Sequence, residues 1–461
     1  MSFASVAFAA FFPVVLVGSW LLRPRPTVWT LFVLAASYVF VGWFDWRATV
    51  VVMGVTVCAH LLAQVASRAN GPVAHTAVAV AVSAGIALIW WSRAGGLLDD
   101  AARRATEKMG GAAVVEVVLP LALGLLVLQA VGYVSDAARG RRLVSLVDLA
   151  LVLSFFPRVA TGPLVSTQEF AASLHAPADP REVPAAPAFR LILTGLAMKL
   201  VVADNLAVRI VDPVFADPGA HSAQEALAAI YGWTVQLFAD IGGAVAIGVG
   251  AAMLMGVAMP SGFDAPLVAG SPTQLWARWH GTVTDWWCRN VAQPLGVRHR
   301  VPAALGVVVV TFVLAGLWVR WSWSLALWGV LMGAAVALET HLGRAGRLPH
   351  GRWFELVGWV LTLNLAALTW TLWRVASPAG AVDVLARLAH WGDSPLVTPA
   401  VLALIVAPVA LQLVPRRVVV AMDMSMSRVP PLVQGVSLGL ALFAVLVLRA
   451  DRTTPFLVFS I

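Results

Sequence analysis

Long apolar runs follow one another from one end of this chain to the other, over residues 4–22, 28–44, 48–66, 74–92, 113–134, 143–156, 188–207, 225–258, 302–319, 321–340, 354–373, 397–414 and 431–449. Roughly 20 apolar residues cross the hydrocarbon of a bilayer, so the runs predict about 10–13 spans. Backbone N–H and C=O groups in lipid must be satisfied within their own segment, which makes these spans helices. A β-barrel would need short alternating strands, and continuous runs exclude it. The predicted fold class is all-α integral membrane, a polytopic helical bundle.

Composition agrees. Of the 461 residues, 60% are hydrophobic and 12% charged, against about 45–50% and about 25% in a soluble domain. A soluble core of this length cannot hide so much apolar surface. A soluble enzyme, a disordered chain and a disulfide scaffold are excluded. Lys and Arg number 31 against 23 Asp and Glu, but the arginines sit between apolar runs, and the lysines are Lys108 and Lys199 alone. Such charges orient spans, and nucleic acid is not an expected partner. Membrane lipid is. Cys58 and Cys288 lack metal-ligand spacing and read as inert thiols, and no metal site is expected.

Met1 to Leu22 is uncharged, and Arg23 and Arg25 follow it. A cleavable signal peptide carries its charge first. The order predicts a retained span with its amino terminus outside and these arginines in the cytoplasm. Arg68 and the group Arg139, Arg141 and Arg142 then also fall on the cytoplasmic side. Residues 93–112 mix both charges and suit an external loop with a short surface helix.

The stretch 259–300 breaks the pattern. Pro260, Gly262, Pro266 and Pro272 lead into Trp276, Arg278, Trp279, His280, Asp285, Trp286, Trp287 and Arg289. It is too polar for lipid and too aromatic for a solvated loop. It reads as a re-entrant or interfacial segment lining a cavity, with a surface helix as the blander alternative. Asp240, inside an apolar run, must pair, protonate or line water, and Arg278 is a candidate partner. Asp204 and Asn205 read as a helix cap.

Several blocks resemble the membrane-bound O-acyltransferase (MBOAT) family, in the branch of the alginate O-acetylation and lipoteichoic-acid D-alanylation proteins. Phe155-Phe156-Pro157 with Gly162-Pro163 resembles the FFPxxxxGP signature. Leu119-Pro120, Gln129, Tyr133, Asp136, Arg139 and Gly140 resemble the LPxGISFYTFQxxSYxxDxxRG block, and Ala203-Asp204-Asn205-Leu206 the ADNL block. Trp276, Arg278, Trp279, His280, Trp286 and Pro294-Leu295-Gly296 resemble WxRWHxSLSxW…PLG. Gly316-Leu317-Trp318 and Leu327-Trp328-Gly329 resemble the two ends of GLWHGxxWxxxLWG, and residues 454–459 the usual carboxy-terminal end.

The resemblance covers nearly the whole chain. It implies one polytopic domain over 1–461, with amino-terminal spans to 160, a family core over 161–300 and carboxy-terminal spans from 301. It also implies an MBOAT-like funnel in a bacterial cytoplasmic membrane, a cytoplasmic acyl donor (acetyl-CoA or an acyl carrier), an extracytoplasmic glycan acceptor and an extracytoplasmic acyltransferase partner. No resident cofactor is implied. A core histidine would take the proton of the attacking hydroxyl.

The chain departs from the family where that chemistry would sit. The histidine of GLWHG falls at Val319, which accepts no proton, and the following glycine at Arg320, which stays protonated. The polar places of DFSGYSD hold Ala244, Val245 and Ala246 after Asp240, and two arginine places of FNRPYxARS hold Ala265 and Gly270. His280 survives as the candidate catalytic residue. Asp240, Trp276, Arg278, Trp279, Trp286, Trp318 and Arg320 are candidate cavity or substrate residues. Three functions compete. The first is O-acetyl transfer to a polysaccharide or cell-envelope glycan. The second is a catalytically inactive scaffold or acyl conduit serving a partner transferase. The third is secondary transport, for which Asp240 is the coupling candidate.

Overall fold

The computed structural model describes residues 1–69, 71–94, 120–159, 162–295, 301–347, 351–451 and 454. Most of the expected outer loop over 93–112 lies outside these residues, as do Leu119, Gly296 and 455–459. Every regular element among the described residues is helical. Among the described residues, seven helices are long and apolar enough to cross a membrane, or eight if the bent pair Pro399–Leu411 and Arg416–Arg428 forms one span. Val6–Leu22, Pro26–Gly42, Leu123–Ala138 and Leu305–Val319 are shorter apolar helices. The chain is a multi-pass membrane protein, as its runs require.

Two runs resolve differently from their apolar length. Residues 143–156 hold the short helix Leu146–Ser154, which ends before Phe155, and the start of another, Phe156–Val159. The run over 397–414 ends at a 91° bend. Helix starts follow local chemistry. Ser5, Ser145, Ser271, Ser322, Ser377 and Thr398 each accept a backbone N–H of the first turn through the side-chain oxygen. Pro26, Pro272, Pro378, Pro399 and Pro431 occupy first-turn positions, where no N–H is needed.

The helices gather into two compact units. One is built from Met1–Leu196 and Gly243–Ser261. Its centre is aromatic. The Phe156 ring lies 5.4–6.4 Å from the rings of Phe8, Phe11, Phe12 and Phe40. Arg158 is buried beside it. Its Nε donates to the Pro163 carbonyl at 2.9 Å, and its guanidinium lies 4.3 Å over the Phe170 ring. The FFPxxxxGP block therefore builds core packing in this chain. Small residues set helix spacing here: a Cβ on Gly250 would fall 2.6 Å from the Ala188 carbonyl oxygen.

The other unit comprises Ala197–Gly242 and Gly262–Thr454. Its tightest pair is Val301–Val319 against Trp323–Arg344. A Cβ on Gly329 would lie 2.5 Å from Val313 Cα, and one on Gly333 would lie 2.7 Å from Val309 Cα. Between apolar helices in lipid there is little hydrophobic drive, so close backbone approach through small residues supplies the attraction. The pattern-breaking stretch forms a turn at Pro266–Val268, the helices Pro272–Arg278 and Gly281–Trp287, and a wide turn over Cys288–Ala292. Neither seven-residue helix is long enough to cross a bilayer.

Candidate active site

His280 lies at the junction of these two short helices. Its backbone is left-handed, with φ 45° and ψ 52°, and Ala265 nearby is left-handed too, with φ 48°. Two backbone hydrogen bonds hold the junction: Asp264 N–H donates to the Arg278 carbonyl at 3.0 Å, and Gly281 N–H to the Gly262 carbonyl at 2.7 Å. The His280 carbonyl accepts the Val283 N–H at 2.8 Å and so starts the second helix. Non-glycine residues hold such a conformation only where their surroundings over-determine it, and such positions cluster at functional sites. The imidazole is buried. Its ring centroid is 5.3 Å from Phe263, and Nδ1 is 3.4 Å from the Thr282 hydroxyl.

From there a chain of rings runs through this unit. Phe263 packs on Trp279 at 5.4 Å, and Trp279 on Trp370 at 4.5 Å. Trp276 meets Trp328 at 5.5 Å and Phe312 at 5.4 Å, and Trp328 meets Trp373 at 5.1 Å. Trp276 also lies 6.5 Å from Trp370, so His280, Trp276 and Trp279 share one aromatic cluster. Trp286 belongs to a second group: it packs on Trp287, which lies 6.4 Å from Trp318. The indole nitrogens of Trp276, Trp328, Trp370 and Trp373 are buried without a hydrogen-bond acceptor among the described residues. T-shaped ring contacts let indole N–H groups point at neighbouring π faces.

Val319 is the last residue of its helix and is half-buried. Its side chain offers packing and no proton chemistry. Arg320 has a structural partner. Its guanidinium donates to the Val375 carbonyl at 2.7 Å and the Trp373 carbonyl at 3.3 Å, at the end of the helix Arg352–Arg374. A cation on terminal carbonyls satisfies their free acceptors and complements the helix dipole. Arg278 is half-buried, and its carbonyl closes the His280 junction.

Asp240 departs most from expectation. It pairs with Lys199 rather than Arg278, at 2.6 Å, and Lys199 also meets Asp204 at 3.0 Å. All three side chains are 0–2% exposed. Asp240 lies two positions beyond Phe238, which joins the aromatic cluster at 6.3 Å from Trp279. Residues two apart point to different sides of a helix, so Asp240 belongs to a separate cluster. Asp204 and Asn205 are not a helix cap. They sit between two wide π turns, Met198–Ala203 and Ala207–Val211. The Asp204 carboxylate accepts Lys199 Nζ and both the N–H and the hydroxyl of Thr454. Lys199 escaped the motif reading. The available signal was a lysine inside an apolar run of a chain whose one other lysine is Lys108.

The model of the membrane-bound O-acyltransferase family matches residues 31–359, well over half of the chain. The chain belongs to the membrane-bound O-acyltransferase family. Among curated relatives of this family, it is 25% identical to the protein named "Probable alginate O-acetylase AlgI" of Pseudomonas syringae pv. tomato, over 79% of this chain and 70% of that protein. It is 26% identical to the peptidoglycan O-acetyltransferase of Helicobacter pylori, over 58% of this chain and 56% of the relative. It is 20% identical to the teichoic acid D-alanyltransferase of Streptococcus thermophilus, over 55% of this chain and 67% of the relative. The chain thus spans between 56% and 70% of these relatives' lengths. The family match reaches across the His280 junction, Val319 and the Trp323–Arg344 helix.

Proposed function

We propose that this protein serves O-acetylation of an extracytoplasmic polysaccharide or other cell-envelope glycan, with cytoplasmic acetyl-CoA or an acyl carrier as donor. The observation that carries this reading is membership of the family together with relatives named as acting on alginate and peptidoglycan. The transfer is a simple substitution. An acceptor hydroxyl oxygen attacks the thioester carbonyl, the C–S bond breaks, and the hydroxyl proton ends on the departing thiolate. A base that holds this proton in the transition state speeds the step.

In this reading Val319 stands where the family base belongs, and His280 is the candidate base that survives in the sequence. It is buried beside an aromatic cluster, on a backbone fixed by two hydrogen bonds. A second reading is a catalytically silent scaffold or acyl conduit that serves a partner transferase. It is favoured by the loss of proton chemistry at Val319 and by Arg320, whose guanidinium is engaged with helix carbonyls. Transport is the weakest reading, because Asp240 is tied into an ion cluster with Lys199.

Release of CoA thiol from acetyl-CoA by the purified protein in nanodiscs, with a glycan acceptor, separates these readings. Turnover that falls by about 100-fold or more in His280→Ala identifies His280 as the base, since general-base catalysis is worth roughly that much. A silent wild type with an active Val319→His variant establishes the scaffold reading. Wild-type turnover indifferent to His280→Ala removes His280 from the chemistry.

A further inference from the structure

The buried ion cluster has a fourth member from far along the chain. Lys199 Nζ lies 2.6 Å from Asp240, 3.0 Å from Asp204 and 3.2 Å from the Thr454 hydroxyl. That hydroxyl donates to Asp204 at 2.5 Å, and the Thr454 N–H donates to the same oxygen at 3.3 Å. Two further bonds join the same elements. Asn205 Nδ2 donates to the Leu448 carbonyl at 3.1 Å, and the Ala450 N–H donates to the Leu200 carbonyl at 3.3 Å. The carboxy-terminal residues Leu448, Ala450 and Thr454 thus hold one short stretch, Lys199–Asn205.

That stretch is irregular. The π turns Met198–Ala203 and Ala207–Val211 flank Asp204–Leu206. The first lies midway along the 32-residue apolar helix Ala185–Ala216 and the second in its last third, and Asp240 lies midway along another 32-residue helix, Ala223–Leu254. π turns are rare and recur at functional positions. At mid-span no water replaces a lost partner, so the groups exposed by the irregularity need the partners that the carboxy-terminal residues supply.

We propose that these carboxy-terminal residues form an intramolecular latch that holds the stretch 198–211 in its π-interrupted form. Each π turn carries about one residue more than regular helix, and rewinding one would rotate everything beyond it by about 100°. Release would therefore turn Asp204 and Asn205 away from their present partners and change the register against Asp240. The latch is a conformational device, and it stands independently of whether the chain transfers acyl groups.

Hydrogen exchange read by mass spectrometry, on the full chain in nanodiscs, tests it. Thr454→Val keeps the side-chain shape and the backbone N–H but removes the hydroxyl. Amides over 198–211 should then exchange about tenfold faster, the effect of losing one charge-assisted bond on local opening. Thr454→Ser should restore wild-type exchange. Peptides from Val6–Leu22 and Trp323–Arg344 should be unchanged, which shows an intact fold. Asp204→Asn should accelerate the same region. The proposal is overturned if Thr454→Val leaves 198–211 at the wild-type rate, or if it speeds exchange evenly across the chain.

Discussion

Arg158 shows how one side chain can carry a sequence signature. It follows Phe155-Phe156-Pro157, and its guanidinium satisfies the Pro163 carbonyl at 2.9 Å while stacking over Phe170. Lysine keeps the charge but has neither the fork nor the planar face. Arg158→Lys should therefore destabilise the protein by about 1–3 kcal/mol, the cost of a buried group left unsatisfied. A lowered melting temperature in a detergent thermal-shift assay is the expected outcome. An unchanged melting temperature would mean that the contacts of Arg158 contribute nothing net. At this scale the sequence was partly legible. The aromatic and glycine landmarks could be read. The partner of Asp240 could not, because Lys199 lies 41 positions away and no periodicity links the two helices.

Helices here meet through missing side chains. Gly329 and Gly333 bring Trp323–Arg344 against the backbone of Val301–Val319, whereas a Cβ on Gly435, in the helix Pro431–Leu448, would meet nothing within 4 Å. The same substitution should then act in opposite directions at the two sites. Gly329→Ala forces the pair apart and should cost about 1–3 kcal/mol, the usual penalty of overpacking. Gly435→Ala should be neutral or stabilise by up to about 1 kcal/mol through helix propensity. Thermal unfolding of both variants in one detergent checks the contrast. Equal shifts would mean that the helix spacing is set elsewhere. Apolar length predicted most helices to within a few residues, for example Ala223–Leu254 from the run over 225–258. It misread 143–156, where Leu146–Ser154 ends at Phe155 and the short helix Phe156–Val159 starts afresh, because hydropathy is insensitive to a local change of backbone conformation.

For the whole molecule, the arginine pattern makes a topological claim. Arg23 and Arg25, Arg68, and Arg139 to Arg142 follow the helices Val6–Leu22, Trp46–Arg68 and Pro120–Ala138. Positive residues stay on the cytoplasmic side. Reporter fusions placed after Arg25, Arg68 and Arg142 should all report cytoplasm, and a fusion after Trp43 the outside. A periplasmic signal after Arg142 would overturn this orientation.

Sequence by itself determined the solvent, the secondary structure and the family. Apolar runs of span length admit only helices in a bilayer, and motifs that keep their order identify a lineage even when polar positions have changed. Tertiary structure decided which residues act together. It joined His280 to an aromatic cluster, gave Arg320 to the end of another helix, and brought Lys199, Asp204, Asp240 and Thr454 into one ion cluster. Hydropathy and local pattern depend on neighbours along the chain, whereas a buried charge is stabilised only by a partner that arrives from elsewhere in the fold.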